Sequence, residues 1–105
     1  MVLLDFTGSD WCPPCMKLEK DVFSQDKFKQ YAEKNLVLVE LDFPQTKELP
    51  PALKTQNDGL AKNYGIQGFP TLILLDSEGK KLTQHVGYLP GGPDAMIAEI
   101  EKAKK

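Results

Sequence analysis

Residues 2–6 (Val-Leu-Leu-Asp-Phe) and 36–42 (Leu-Val-Leu-Val-Glu-Leu-Asp) are apolar runs of strand length. Between them, apolar side chains recur at helical spacing: Cys15, Leu18 and Val22, then Phe28, Tyr31 and Ala32. This is the strongest constraint in the chain. Two strands joined through a helix pair in parallel, with a right-handed crossover. Both runs read as buried strands, the first carrying one acid, Asp5. Pro13 and Pro14 suit the first turn of the helix, where a missing N–H costs least. A break is expected near residues 22–25, with Ser24 capping a second helical segment that has Asp26 in its first turn.

The remainder closes the architecture. Pro44, Pro50 and Pro51 mark a loop over 44–51, and a helix is expected from about Pro51 to Tyr64, stopped by Gly65. Thr71 to Leu75 is a third strand. Ser77-Glu78-Gly79-Lys80 reads as a hairpin turn into a fourth strand, Leu82 to Val86. Pro90-Gly91-Gly92-Pro93 breaks the chain, and Met96, Ile97, Ile100 and Ala103 form the buried stripe of a last helix. The order β-α-β-α-β-β-α implies an α/β fold with a four-stranded mixed sheet and helices on both faces. At 105 residues the chain is one domain, large enough to bury a core without metal or several disulfides.

Composition excludes several functions. No apolar run approaches the ~18–20 residues of a membrane span. A net charge of −2 leaves no electrostatic footprint for nucleic acid. All 13 basic residues are lysines, so bidentate arginine clamps on phosphate or carboxylate are absent. No signal peptide is visible. The chain nevertheless opens inside an apolar run, Met1-Val2-Leu3-Leu4, which points to an upstream segment cut off, an export signal included. Nothing marks an oligomer, and a monomer is expected.

The only two cysteines sit three apart in Cys12-Pro13-Pro14-Cys15. Such a short-range pair indicates redox chemistry or half a metal site, not a disulfide scaffold. The run Trp11-Cys12-Pro13-Pro14-Cys15 after the first strand, with Gly68-Phe69-Pro70-Thr71 more than fifty residues later, resembles the thioredoxin family. The resemblance covers nearly the whole chain. Lys17-Leu18-Glu19-Lys20 and Val22-Phe23-Ser24 make it most similar to bacterial thioredoxin-like domains of the kind that end the transmembrane disulfide reductase DsbD.

Three departures accompany the resemblance. Thioredoxin proper has an extra strand and helix before the segment that starts here, so the chain is either the minimal fold or truncated. Seven positions separate Asp5 from Cys12, one more than thioredoxin has, which lengthens the loop Thr7–Asp10. Glu40 stands in place of the lysine that thioredoxin keeps near its buried acid.

Thiol–disulfide exchange needs a thiolate that attacks and a second thiol that resolves the mixed disulfide. At a helix N-terminus Cys12 is the stabilised nucleophile, and Cys15, one turn inside, is shielded and attacks second. A structural zinc site wants four Cys or His ligands, and the chain adds one histidine to the pair. Pro13 and Pro14 remove two N–H groups beside the sulfur, which favours a reductase over an oxidase. Asp5, in a strand under the sulfurs, is the buried acid that takes the proton from Cys15 through a water. Glu40 is either a second relay carboxylate coupled to Asp5 or a solvent-facing residue.

The resemblance implies that Trp11 offers a flat apolar surface to partners, that Pro70 is a cis-proline, and that the Phe69 backbone pairs with an extended substrate. It also implies that Gly87 lines the substrate groove. His85 reads as an exposed strand residue and Met16 as core or groove wall. The expected activity is reduction of protein disulfides with no bound cofactor or metal beyond the Cys12–Cys15 disulfide. Its partners would be disulfide-containing clients and an upstream thiol reductase, in an exported bacterial setting or the cytoplasm. An oxidase or isomerase, a redox-inactive interaction module and a metal carrier are the competing readings.

Overall fold

A computed structural model describes residues 1–104. Strand β1 is Val2–Thr7. Helix α1, Pro13–Leu18, runs on into a π-helical segment, Glu19–Phe23, and then α2, Asp26–Asn35. Strand β2 is Val37–Asp42, α3 is Pro51–Tyr64, β3 is Thr71–Leu75, β4 is Lys81–Val86 and α4 is Gly92–Ala103. The sheet has the order β2-β1-β3-β4. β1 runs parallel to β2 and antiparallel to β3, and β3 runs antiparallel to β4. This is the thioredoxin-like α/β arrangement.

Strand periodicity divides the core in two. Leu3 faces one side with Leu72 and Leu74, against Leu18, Val22, Phe28, Met96 and Ile100 from α1, the π-helical segment, α2 and α4. Leu4 and Phe6 face the other side with Leu41, Ile73 and Leu75, covered by Leu60 and Tyr64 of α3. Successive strand residues point to opposite faces, so Asp5 shares the face of Leu3 and lies on the α1 side. The stop at Gly65 is a left-handed C-cap, φ 65°, whose N–H reaches the Lys62 carbonyl. No helix among the described residues is long and apolar enough to cross a membrane.

Three expectations are corrected. Strand β2 is not buried: it is an edge strand, with Val37 61% and Leu38 41% exposed. An unbroken apolar run does not distinguish a central strand from an edge, because edge position depends on which strands pair. Ser24 does not cap α2. It carries right-handed helical dihedrals at the end of the π-helical segment, and its hydroxyl donates back to the Lys20 carbonyl at 2.9 Å. Gln25 takes the N-cap place with no side-chain cap bond. His85 is half-buried rather than exposed, because it pairs with Leu72 and shares the face that α4 covers.

Phe28, fully buried between the helices and the sheet, and Val37, on the open edge, should respond oppositely to substitution. Phe28→Ala is expected to cost about 3–5 kcal/mol. Val37→Lys should stay within about 0.5 kcal/mol of the parent. Urea unfolding of the two variants measures both.

Candidate active site

Strand β1 delivers the chain to Gly8, whose carbonyl organises the turn that leads into the cysteines. It accepts the backbone N–H groups of Trp11, at 3.3 Å, and Cys12, at 3.0 Å. A Cβ on Gly8 would collide with the Trp11 indole, so glycine is required here by close approach. The indole Nε1 donates to the Phe43 carbonyl at 2.6 Å. Its ring meets Phe69 edge-on, with centroids 5.5 Å apart, and Phe69 packs on Phe43 at 5.3 Å. Trp11, Phe69 and Phe43 thus form a continuous aromatic row beside the cysteines. Gly8 and Phe43 were not anticipated from the sequence; Gly8 follows the first strand in a Gly-Ser-Asp turn, the one local signal for it.

Cys12 and Cys15 form a disulfide, Cα atoms 5.2 Å apart. Cys12 is the N-cap of α1, and its Sγ accepts the Cys15 N–H at 3.4 Å. Pro13 and Pro14 fill the first two helical positions and bring no N–H to the sulfur. Both cysteines are 3% exposed, so in the disulfide Cys12 is no more open than Cys15. What separates them is place on the helix: Cys12 caps its positive end, and Cys15 lies inside the first turn.

On the opposite wall, the Phe69–Pro70 peptide is cis. Two bonds hold this segment in place. Thr71 Oγ1 donates to the Gly68 carbonyl at 2.6 Å, and the Gly87 N–H donates to the Pro70 carbonyl at 2.8 Å. Gly87 has φ 98°, a conformation that a side chain disfavours. Its N–H is therefore committed to Pro70, and it positions the proline loop.

Behind Cys15 lies a cavity of 240 Å³ lined by Asp5, Cys15, Met16, Glu19 and Glu40, with Thr7 and Ser9. Asp5 and Glu40 are direct partners across the β1–β2 ladder. Burial, followed by the charges of Glu40, Glu19 and Asp42, pushes the Asp5 carboxyl up to about 7. Its Oδ1 is buried with no hydrogen-bond partner among the described residues. Glu40 is raised as well, by partial burial and then by Glu19 and Asp42. Glu40 is an exposed residue that still lines this cavity. Met16 is 43% exposed and serves as wall, not core. Glu19 was not anticipated, although its place four residues after Cys15 on one helix face was legible.

The turn before the cysteines is tied to the loop after β2. Ser9 donates its N–H and its hydroxyl to the Asp42 carboxylate, at 2.9 and 2.5 Å. Asp10 accepts from the N–H groups of Gln45 and Thr46 and from the Thr46 hydroxyl, at 2.9, 3.0 and 2.6 Å. These bonds hold the Asp10 carboxyl down at about 2.

Gly8→Ala should therefore expel the indole from its seat and break the bond to Phe43. Trp11 is the sole tryptophan, so its emission is expected to shift toward that of a solvent-exposed indole. The loss of one neutral hydrogen bond adds a destabilisation of about 1 kcal/mol.

The sequence pattern of the thioredoxin-like domain matches residues 1–104. The chain is 38% identical over 104 residues to the disulfide bond reductase DsbH of Chlamydia pneumoniae, covering 99% of this chain and 62% of that protein. It is 34% identical over 83 residues to the thiol:disulfide interchange protein DsbD of Actinobacillus pleuropneumoniae, covering 79% of this chain and 13% of that one. The chain thus spans less than two thirds of these relatives. A solved DsbH oxidoreductase superposes with TM-score 0.91 at 37% identity, over 97% of this chain and 70% of that one. The C-terminal domain of Neisseria meningitidis DsbD in its oxidised form shares the fold, with TM-score 0.68 at 22% identity, over 97% of this chain and 78% of that one. The chain belongs to the thioredoxin-like family.

Proposed function

We propose that this chain is a thiol–disulfide oxidoreductase that reduces protein disulfides. The observation that carries the reading is the convergence, under one helix N-terminus, of the Cys12–Cys15 disulfide and a buried carboxyl whose cavity reaches Cys15. The likeness to DsbH and DsbD supports the same direction.

In the reduced protein the Cys12 thiolate attacks one sulfur of a client disulfide. A Cys12–client bond forms, the client S–S bond breaks, and the second client sulfur leaves as a thiolate that takes up a proton. Cys15 then gives its proton to Asp5 and attacks the Cys12 sulfur. The mixed disulfide breaks, the client sulfur bonded to Cys12 departs as a thiolate that takes up a proton, and two electrons have passed to the client. The cavity has room for water between Cys15 and Asp5, since one water takes ~30 Å³. A base titrating near the working pH suits this proton transfer. Trp11, Pro13, Pro14 and Phe69 form the client-facing surface, and Pro70, fully buried behind it, and Gly87 support it. An upstream thiol reductase resets the disulfide, with no other cofactor. We place the chain in an exported bacterial compartment, in line with its likeness to DsbH and DsbD, and take it to act as a monomer.

Among the described residues the Cys15 N–H is the one donor on the Cys12 sulfur, so the thiolate is less stabilised than at a helix start rich in donors. An equilibrium titration should give a potential near that of thioredoxin, about −270 mV, and not near the oxidising end at about −120 mV. A value at the oxidising end would make the protein an oxidase. Pro14→Ala restores one donor and should move the potential about 30–60 mV in the oxidising direction, the equivalent of one charge-assisted hydrogen bond.

The Asp5 carboxyl, near 7 in the folded protein against 3.8 unfolded, binds a proton more tightly in the native state. Stability should therefore fall as pH rises between about 4 and 7, by up to ~1.4 kcal/mol per unit, and level off above. Asp5→Asn removes this slope, so the variant should gain melting temperature over the parent at pH 8 and not at pH 4. In single-turnover kinetics the same variant should resolve mixed disulfides at least about 100-fold more slowly at pH 8. Near pH 5.5, where Asp5 is already protonated, it should differ little. Equal rates for the two proteins across pH 6–9 would remove Asp5 from the mechanism.

A further inference from the structure

The loop after β4 carries a clamp that lies outside the cysteine chemistry. Pairing between β3 and β4 ends where Thr71 meets Val86. Beyond that rung the Gly87 N–H holds the Pro70 carbonyl at 2.8 Å, so the Phe69–Pro70 wall of the site follows Gly87. Gly87 has φ 98°. Glycine adopts many backbone states, so a further contact is needed to fix the turn.

The next residue supplies that contact. Tyr88 Oη donates to Asp21 Oδ2 at 2.6 Å, across 67 residues of sequence. Lys17 Nζ lies over the same ring, 4.6 Å from its centroid. Lys17 is two residues after Cys15 in α1, and Asp21 belongs to the π-helical segment that continues it. The ring also packs against the core on the α1 side of the sheet. The bond to Asp21, then burial and the Asp21 charge, holds the Tyr88 phenol above its ordinary value, so it stays a donor at neutral pH. A hydroxyl that donates to a carboxylate makes a bond roughly twice as strong as a neutral pair. Tyr88 therefore ties the wall that carries Pro70 to the helix that carries the cysteines.

We propose that Tyr88 is a positioning residue for client recognition. Through Gly87 it fixes the Phe69–Pro70 segment relative to the cysteine helix, and Asp21 and Lys17 hold its ring in place for that task. It acts through Gly87 and not on the sulfurs. This role rests on the disulfide-reducing reading for its client, and on the Tyr88–Asp21 geometry for the tie itself.

Two measurements test it. Amide hydrogen exchange of the oxidised protein needs no client. The Gly87 N–H should exchange about tenfold faster in Tyr88→Phe and in Asp21→Ala, the worth of one hydrogen bond to a charged group. Asp21→Asn keeps an acceptor oxygen and should restore the parental rate. Unchanged Gly87 exchange in Tyr88→Phe overturns the tie. The second measurement is single-turnover reduction of a disulfide-bonded peptide over a range of peptide concentrations. Tyr88→Phe and Asp21→Ala should each raise the half-saturating concentration about tenfold and keep the limiting rate within about twofold, and Asp21→Asn should restore the parental value. The double variant should be no worse than either single one, because both remove the same bond. An unchanged half-saturating concentration, a fall in the limiting rate alone, or losses that add in the double variant overturns the positioning role. A parent that reduces no peptide overturns the reductase reading, and faster Gly87 exchange in Tyr88→Phe then still supports the tie.

Discussion

Asp5 is a carboxyl group in the second strand from one edge of the sheet, with β2 on one side and β3 on the other, and the proton transfer proposed above depends on that burial. The two-residue strand period sends Leu4 and Phe6 into the core under α3 and sends Leu3, Asp5 and Thr7 toward α1. An acid on that face has little access to water and sits beneath the helix that begins at Cys12. Desolvation raises its proton affinity into the neutral range. The parallel register brings Glu40 directly beside it, and the first helix brings Glu19 to the same cavity. Three carboxylates in one recess favour holding a proton, which is the property a resolving thiol can use.

The surface around the cysteines is held by backbone carbonyls as well as by side chains. The Gly8 carbonyl gathers Trp11 and Cys12, the Pro70 carbonyl holds Gly87, and the Gly68 carbonyl holds Thr71. Aromatic rings fill the space between these fixed points. Trp11, Phe69 and Phe43 form one continuous row, and Phe43 carries it to the loop and α3. The surface beside Phe69 therefore has its shape set in advance, which would lower the ordering cost of binding the proposed client.

Much of this was legible in the residues themselves. The strand runs, the proline-headed helices, the Gly65 stop and the break after Phe23 are local signals, and each element formed close to its expected place. The cysteine pair at the helix start, Asp5 in the first strand and the Phe-Pro-Thr segment were all readable. Three things were not. Val37 and Leu38 look as buried in sequence as Leu72 and Leu74, yet they lie on an open edge. In β4 the apolar residues Leu82 and Val86 are exposed, and His85 turns toward the core. Asn57, in a helix exposed along most of its length, is one of its best buried residues.

The sequence by itself determined the elements, their order, the parallel crossover and the chemistry of the cysteine pair. These depend on interactions between residues near one another in the chain: capping, helical and strand periodicity, and the three-residue spacing of the thiols. Tertiary structure alone decided which strand became the edge, which carboxylates share a recess, how Gly8 and Phe43 seat the indole, and where one amide oxygen is buried without a partner among the described residues. Each of these is a contact between segments more than ten residues apart, or, for Gly8, a three-dimensional close approach. Such contacts depend on which surfaces the packed helices leave open, and no local pattern encodes that.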